Sequence, residues 1–226
     1  MSVNWEELIP QIAHDVRALV RKGLSNAQFL ERLLGPGADM QASAHLRAII
    51  ESQIDLNRFV VRLVELADAG NAPQRSIAYG HATGDLETAV LAAKLECREA
   101  MTQAGAELVV QQLPACTVPQ KVQIVLKELM DNSLRYRDPG RPLRVIIEAQ
   151  ADEERIRVRV VDNGTGIAPA YADKLFEPLQ RLDAVRGGFG LGLAISRAIV
   201  EAAGGSIYME PSDSGASFVF ELPNHN

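Results

Sequence analysis

The sequence is poor in cysteine. Only Cys97 and Cys116 occur among 226 residues, and neither stands in a CxxC or CxH pattern. That argues against a disulfide framework and against a thiolate zinc site, and it points to a reducing compartment. Positive charge is not in excess either. The net charge is −6, whereas general nucleic-acid binding calls for a basic surface. No run approaches the roughly 20 apolar residues of a membrane span. The N-terminus, MSVNWEELIPQ, lacks the apolar core of a signal peptide. There is no internal repeat and no low-complexity tract. The apolar fraction, 47%, is ordinary, so a packed core is available. The length fits one or two domains. These absences together lead us to expect a soluble, cytoplasmic protein that neither inserts into a membrane nor binds nucleic acid.

The first 70 residues contain one internal turn signal, Gly35-Pro36-Gly37. Before it, Ile9, Ile12, Val16, Leu19, Leu30 and Leu33 recur at helical spacing, which predicts an amphipathic helix over 5–34. After it, Leu46, Ile49, Leu56, Val60 and Leu63 repeat the pattern to about residue 68, and Ala69-Gly70-Asn71 is the stop. Two long helices joined by a tight loop form an antiparallel hairpin. Such a pair cannot bury both faces of its apolar stripe. A second copy would complete a four-helix bundle, so a homodimer is expected.

From residue 76 the period changes. The spacing predicts a strand over 75–81, a helix over 86–102, a strand over 107–111 and a helix over 119–136 with proline at its start. The turn Arg137-Asp138-Pro139-Gly140 feeds strands over 143–149 and 155–161, where apolar and polar residues alternate. A helix over 191–203 stops at Gly204-Gly205, and strands over 206–209 and 216–222 close the sheet. The expected fold is α+β: a helical hairpin over 1–72, then over 73–226 an α/β sandwich whose mixed sheet is covered on one face by helices.

Four stretches of the second half carry chemistry. Asp162 leaves a strand into Asn163-Gly164-Thr165-Gly166. Its carboxylate can accept a hydrogen bond from an exocyclic amine, and the glycines let the backbone approach a flat ring. Alone, this string reads more readily as a plain turn. Gly188-Phe189-Gly190-Leu191-Gly192-Leu193 runs into a helix, whose N-terminal amides favour anions. A dinucleotide-binding turn would need a preceding strand, and residues 180–187 are charged and glycine-rich instead. Glu128 and Asn132 lie four apart on one helix face. Asn132 offers a carbonyl oxygen to a magnesium ion that also holds phosphate oxygens, and Glu128 can orient or deprotonate an attacking group. Arg135 supplies a fixed charge near the phosphates, and Tyr136 an aromatic face near the base. The bland reading is a solvated polar helix face. The glycine motifs downstream weigh against it.

ELMDN (128–132), VDNGTGI (161–167), LFEPL (175–179) and GFGLGL (188–193) resemble the N, G1, F and G2 boxes of the sensor histidine kinase ATP-binding domain. That fold is shared with gyrase, mismatch-repair and chaperone ATPases. The resemblance covers roughly residues 76–223 and is nearest to the phytochrome-like kinases. It implies that ATP and Mg2+ bind here, that Asn132 is the magnesium ligand and that Asp162 contacts adenine. Gly164, Gly166, Ile167, Phe176, Gly188, Gly190, Leu191, Gly192 and Leu193 would line the nucleotide. A short lid between residues 176 and 188 would bring Arg181 and Arg186 to the phosphates.

A lone helical histidine is usually structural. His14, however, stands in HDVRALVR on the first helix of a hairpin that precedes this ATP domain. That layout and string resemble the family's dimerisation and phosphoacceptor domain with its H-box, in which an acid follows the histidine. His45 is followed by Leu46 and ranks lower. A neutral imidazole is a competent nucleophile, and Asp15 can take a hydrogen bond from its other ring nitrogen. The resemblance implies autophosphorylation of His14, then transfer to an aspartate of a response regulator receiver domain. Two positions depart from the pattern. Leu19 stands where the H-box carries proline, so a straighter helix is expected. Ala18 stands where kinases that also dephosphorylate their partner carry Thr or Asn. Alanine cannot orient a water, so weak or absent phosphatase activity is expected. The alternative is a phosphotransferase or scaffold that binds a receiver without autophosphorylating. Such proteins usually lose the glycine boxes. An anti-sigma-type serine kinase would share the ATP fold but lack the hairpin and the H-box.

Overall fold

The computed structural model describes residues 5–34, 40–70, 83–181, 187–212 and 214–224, with side chains except at 5–12, 15, 40, 70, 169 and 173. The predicted 35–37 turn and the predicted strand over 75–81 lie outside these residues. The chain divides into two compact units, Met1–Asp68 and Ala69–Asn226.

The first unit is two long helices, α1 (Trp5–Leu34) and α2 (Met40–Gly70). In α1 the buried positions Ala13, Val20 and Ala27 recur every seven residues. Leu46 and Val60 do the same in α2 at twice that interval. That is the period of a helix packing along a narrow seam. The helices meet near their midpoints: a Cβ on Gly23 would lie 3.1 Å from the Gln53 side chain. Midpoint contact combined with a short connection makes the pair antiparallel. Much apolar surface stays outside the seam. Leu19, Leu30, Leu33, Ile49 and Leu56 are all exposed.

The second unit begins with strand β1 (Thr83–Asp85), helix α3 (Leu86–Gln103) and strand β2 (Glu107–Val110). Asp85 caps α3 by accepting from the Thr88 amide and hydroxyl at 2.6 and 2.8 Å. Next come β3 (Thr117–Pro119), α4 (Val122–Arg135), β4 (Arg144–Ala151) and β5 (Arg155–Asp162). A 3-10 helix spans Pro169–Lys174, followed by α5 (Gly192–Ala202), β6 (Ser206–Glu210) and β7 (Ser217–Pro223).

One expectation needs correcting. The helix predicted from Pro119 begins at Val122, and Pro119 closes strand β3, paired with Thr83 of β1 in a small antiparallel sheet. Proline suits the first turn of a helix and the edge of a sheet alike, because both positions leave its missing N–H unneeded. The β-branched pair Thr117-Val118 and the partner strand decide for the sheet.

The main sheet runs β2-β4-β5-β7-β6, with β2–β4 parallel and the other pairs antiparallel. Register puts Ile156, Val158 and Val160 opposite Leu222, Phe220 and Phe218, and all six are buried. Each such side chain contributes about 1.5–3 kcal/mol relative to an exposed one. This row is the core face, on which α4 and α5 pack, with α3 against α4. The opposite face is polar. Arg155 and Arg157 pair with Glu221, and Arg159 with Glu148 and Glu210. The fold is therefore a helical hairpin followed by a two-layer α/β sandwich with a mixed sheet.

Candidate functional site

Asp162 stands at the end of the core row of β5 and is 8% exposed. Burying a carboxylate is costly unless hydrogen bonds replace its water. Three donors do so. Oδ1 accepts from the Gly164 amide at 2.8 Å and the Ala216 amide at 3.1 Å, and Oδ2 accepts from the Ser133 hydroxyl at 2.9 Å. Gly164 cannot carry a side chain, since its Cβ would lie 2.6 Å from the Tyr136 carbonyl oxygen. That carbonyl accepts both the Thr165 amide (2.9 Å) and the Thr165 hydroxyl (3.2 Å). Arg141 donates to the Gly164 carbonyl at 3.0 Å. Gly215, with φ +74°, closes the site just before β7, where any Cβ would run into the Asp162 carbonyl. The 162–166 loop is thus bound to the end of α4 on one side and to the start of β7 on the other.

On α4, Glu128 is buried and Asn132 half-buried. The Asn132 amide nitrogen is buried without a hydrogen-bond partner. Among the described residues this buried donor has no acceptor, which is costly, and it is available to an acceptor on a ligand. Asp131, inside the same string, is already engaged. It accepts from Lys127 at 2.7 Å and from the Cys97 thiol at 3.6 Å, joining α4 to α3. Burial, followed by the Asp131 charge, pushes the Cys97 thiol up to about 12.

The glycine-rich stretch precedes α5, whose first turn has no side-chain cap. Its N-terminal amides are the kind that hold anions. Gly187, Gly188 and Gly190 all take positive φ. Arg135 reaches across from α4, its Nη1 3.5 Å from the Gly187 carbonyl. The Arg181 stem lies beside Gly190: a Cβ there would be 3.1 Å from Arg181 Cγ. From the other direction, the Leu179 amide donates to the Gly190 carbonyl at 2.8 Å.

The structure therefore brings the four stretches together. Ile167 and Leu193 are half-buried beside them. Phe176 and Leu191 are 6% and 1% exposed, so they hold their loops from beneath. The Phe176 ring meets Phe218 edge-on at 6.3 Å between centroids. Residues 182–186 of the expected lid, Arg186 among them, lie outside the described residues. So does the Asp15 side chain. His14 and Ala18 are exposed on α1, as is Leu19, and His45 is exposed on α2. Sequence reasoning missed Ser133, Arg141 and Gly215. Gly215 follows Ser212-Asp213-Ser214, a turn signal that could have drawn attention to it. Ser133 and Arg141 carried no local signal.

Residues 117–226 match the family of histidine kinase-, DNA gyrase B- and HSP90-like ATPases. The sensor protein TorS of Escherichia coli (strain K12) is 35% identical over 106 residues, 46% of this chain and 11% of TorS. The sensor histidine kinase WalK of Bacillus subtilis (strain 168) is 34% identical over 108 residues, 46% of this chain and 18% of WalK. The adaptive-response sensory kinase SasA of Synechococcus sp. (strain JA-2-3B'a(2-13)) is 36% identical over 115 residues, 49% of this chain and 30% of SasA. The chain thus spans less than a third of the length of these relatives. In fold it resembles full-length ShkA in complex with AMPPNP, at TM-score 0.75 and 22% identity, over 96% of this chain and 46% of that one. It also resembles the Acinetobacter baumannii histidine kinase AdeS, at TM-score 0.61 and 21% identity, over 91% and 97% of the two chains. A helical hairpin followed by a domain that matches this ATPase family, with sensor kinases among the relatives, makes the chain similar to the catalytic core of sensor histidine kinases.

Proposed function

We propose that this chain binds ATP with Mg2+ in the second unit, transfers the γ-phosphoryl group to His14, and passes it on to an aspartate of a response regulator receiver domain. The observation that carries the reading is the joining of the four boxes, Ser133 to Asp162, Arg135 to Gly187 and Leu179 to Gly190, on a chain whose first helix offers an exposed histidine. In this reading residues 1–72 serve dimerisation and phosphate acceptance, and residues 73–226 bind the nucleotide.

Each group has a task. The Asp162 carboxylate accepts from the adenine amine. Gly164 and Gly166 bring the backbone against the ring, with Ile167 and Tyr136 beside it. The uncapped amides at the start of α5 take phosphate oxygens, with Arg135 and Arg181 as charges near them. Asn132 would hold the magnesium ion through its side-chain carbonyl oxygen, the hard oxygen donor that such an ion takes. When bound, the ion offsets negative charge on the transferring group. One imidazole nitrogen of His14 attacks the γ-phosphorus. The N–P bond forms as the bond to the ADP oxygen breaks, and the proton on the other ring nitrogen is shared with Asp15. Glu128 orients the attacking group. The exposed Leu19, Leu30, Leu33, Ile49 and Leu56 support a second hairpin packed against the first. A monomer at micromolar concentration by light scattering would remove that element.

The test is incubation with γ-labelled ATP and Mg2+. Acid-labile, base-stable label on the chain, absent in His14→Gln, is expected. Label that survives acid or persists in His14→Gln refutes the reading. A chain that takes no label yet accepts phosphate from a receiver would be the phosphotransferase instead.

A further inference from the structure

Ser133 follows the magnesium-ligand candidate Asn132 and was not anticipated as part of the site. It is 2% exposed. Its Oγ lies 3.1 Å from the Leu129 carbonyl, one turn back along α4, and 2.9 Å from Asp162 Oδ2. A hydroxyl has one hydrogen to give. The Leu129 carbonyl already stands at the acceptor position of the helix ladder, whereas a carboxylate oxygen makes the stronger bond. The hydrogen therefore goes to Asp162.

Asp162 Oδ1 accepts two backbone amides, from Gly164 and Ala216. Among the described residues Oδ2 accepts only from Ser133, which leaves one acceptor direction open. The carboxylate is held at both ends and cannot turn about its own axis. Its one open direction accepts and does not donate. A purine with an amine at C6 satisfies it. A purine with an oxygen there sets acceptor against acceptor, and one with only hydrogen leaves the open lone pair dry.

We infer that Ser133 is a positioning residue for base selectivity: through Asp162 Oδ2 it fixes the acceptor that distinguishes a 6-aminopurine triphosphate from other purine triphosphates. The inference deepens the nucleotide reading above and rests on Asp162 meeting the base.

The experiment compares ATP with purine riboside triphosphate, which lacks only the 6-amino group, for wild type, Ser133→Ala and Ser133→Cys. Cysteine nearly preserves the volume and keeps a weaker donor. ATP affinity should fall about tenfold in Ser133→Ala, the scale of one hydrogen bond to a charged group, and less in Ser133→Cys. Affinity for purine riboside triphosphate should move less than about twofold, the remainder expected when no bond to that position exists. A merely structural role would weaken both ligands in proportion. Proportional losses, or an unchanged preference for ATP in both variants, overturn the inference while leaving the ATP site intact. A wild type that does not prefer ATP removes the Asp162 reading itself, and this inference with it. Thermal melting identifies a Ser133→Ala variant that has lost its fold, in which case the cysteine variant decides.

Discussion

The amide of Leu179 donates to the carbonyl of Gly190 at 2.8 Å, and this bond joins the F box to the glycine-rich turn before α5. Leu179 forms it from the left-handed region, at φ 66°, and is the one non-glycine residue there among those described. Its side chain is 56% exposed, so packing does not repay the conformation. Strain of this kind costs on the order of 1–3 kcal/mol. Asparagine tolerates the region and β-branched residues do not. Leu179→Asn should therefore be neutral or stabilising in a thermal melt, and Leu179→Val should lower the melting temperature. Equal effects from the two would dissociate the backbone from the cost.

Gly215 is a sharper case. It takes φ +74°, and a Cβ there would collide with the backbone carbonyl of Asp162. Neither chain has room to move, because the Asp162 amide donates to Ala216 next door at 2.9 Å. Gly215→Ala should destabilise the second unit by roughly 2–4 kcal/mol, the range of combined backbone strain and a disturbed buried group. ATP affinity measured well below the melting temperature should fall as well. Retention of both would mean that β7 shifts freely.

Much of this site was legible because its chemistry is local. Asn163-Gly164-Thr165-Gly166 and the 188–193 glycines announce turns, and Glu128 with Asn132 announce one helix face. What escaped is long-range. Ser133 meets Asp162 across 29 positions and Arg141 meets Gly164 across 23. No residue pattern within a window carries such a pairing. Pro119 was misassigned for a different reason: one residue satisfies two local rules, and only the partner strand at Thr83 chooses between them. The two long helices were legible because apolar residues recur at helical spacing along each of them.

Acid should weaken the second unit for a definable reason. The Thr88 amide holds Asp85 below its ordinary 3.8, the Glu154 and Arg155 amides do the same for Asp152, and the Tyr208 hydroxyl holds Glu221 below 4.5. A carboxyl lowered on folding contributes stability that is fully present above its unfolded value. That stability is lost as pH falls through the folded one. Urea midpoints should thus be flat from pH 7 to about 5 and fall below about 4. Asp85→Ala should lower the midpoint at pH 7, and the gap to wild type should close as pH falls. A gap that persists at pH 2 would mean that the loss is helix propensity, not the charged cap.

The two cysteines supply a last prediction. Burial raises both thiols, Cys97 to about 12 with the Asp131 carboxylate adding to it. Only the thiolate is nucleophilic. At pH 8 the native thiols are protonated and are also shut away from reagent, since Cys97 is 2% and Cys116 5% exposed. N-ethylmaleimide should label neither in the native protein over minutes and both in urea, as read by intact mass. The S–H bond to Asp131 gives Cys97 a further test. Asp131→Asn removes the charge that opposes the thiolate but leaves the burial, which is the larger cause. Native labelling of Cys97 should therefore remain slow in that variant. Rapid labelling would mean that the Asp131 contact, rather than burial, keeps α3 closed over α4.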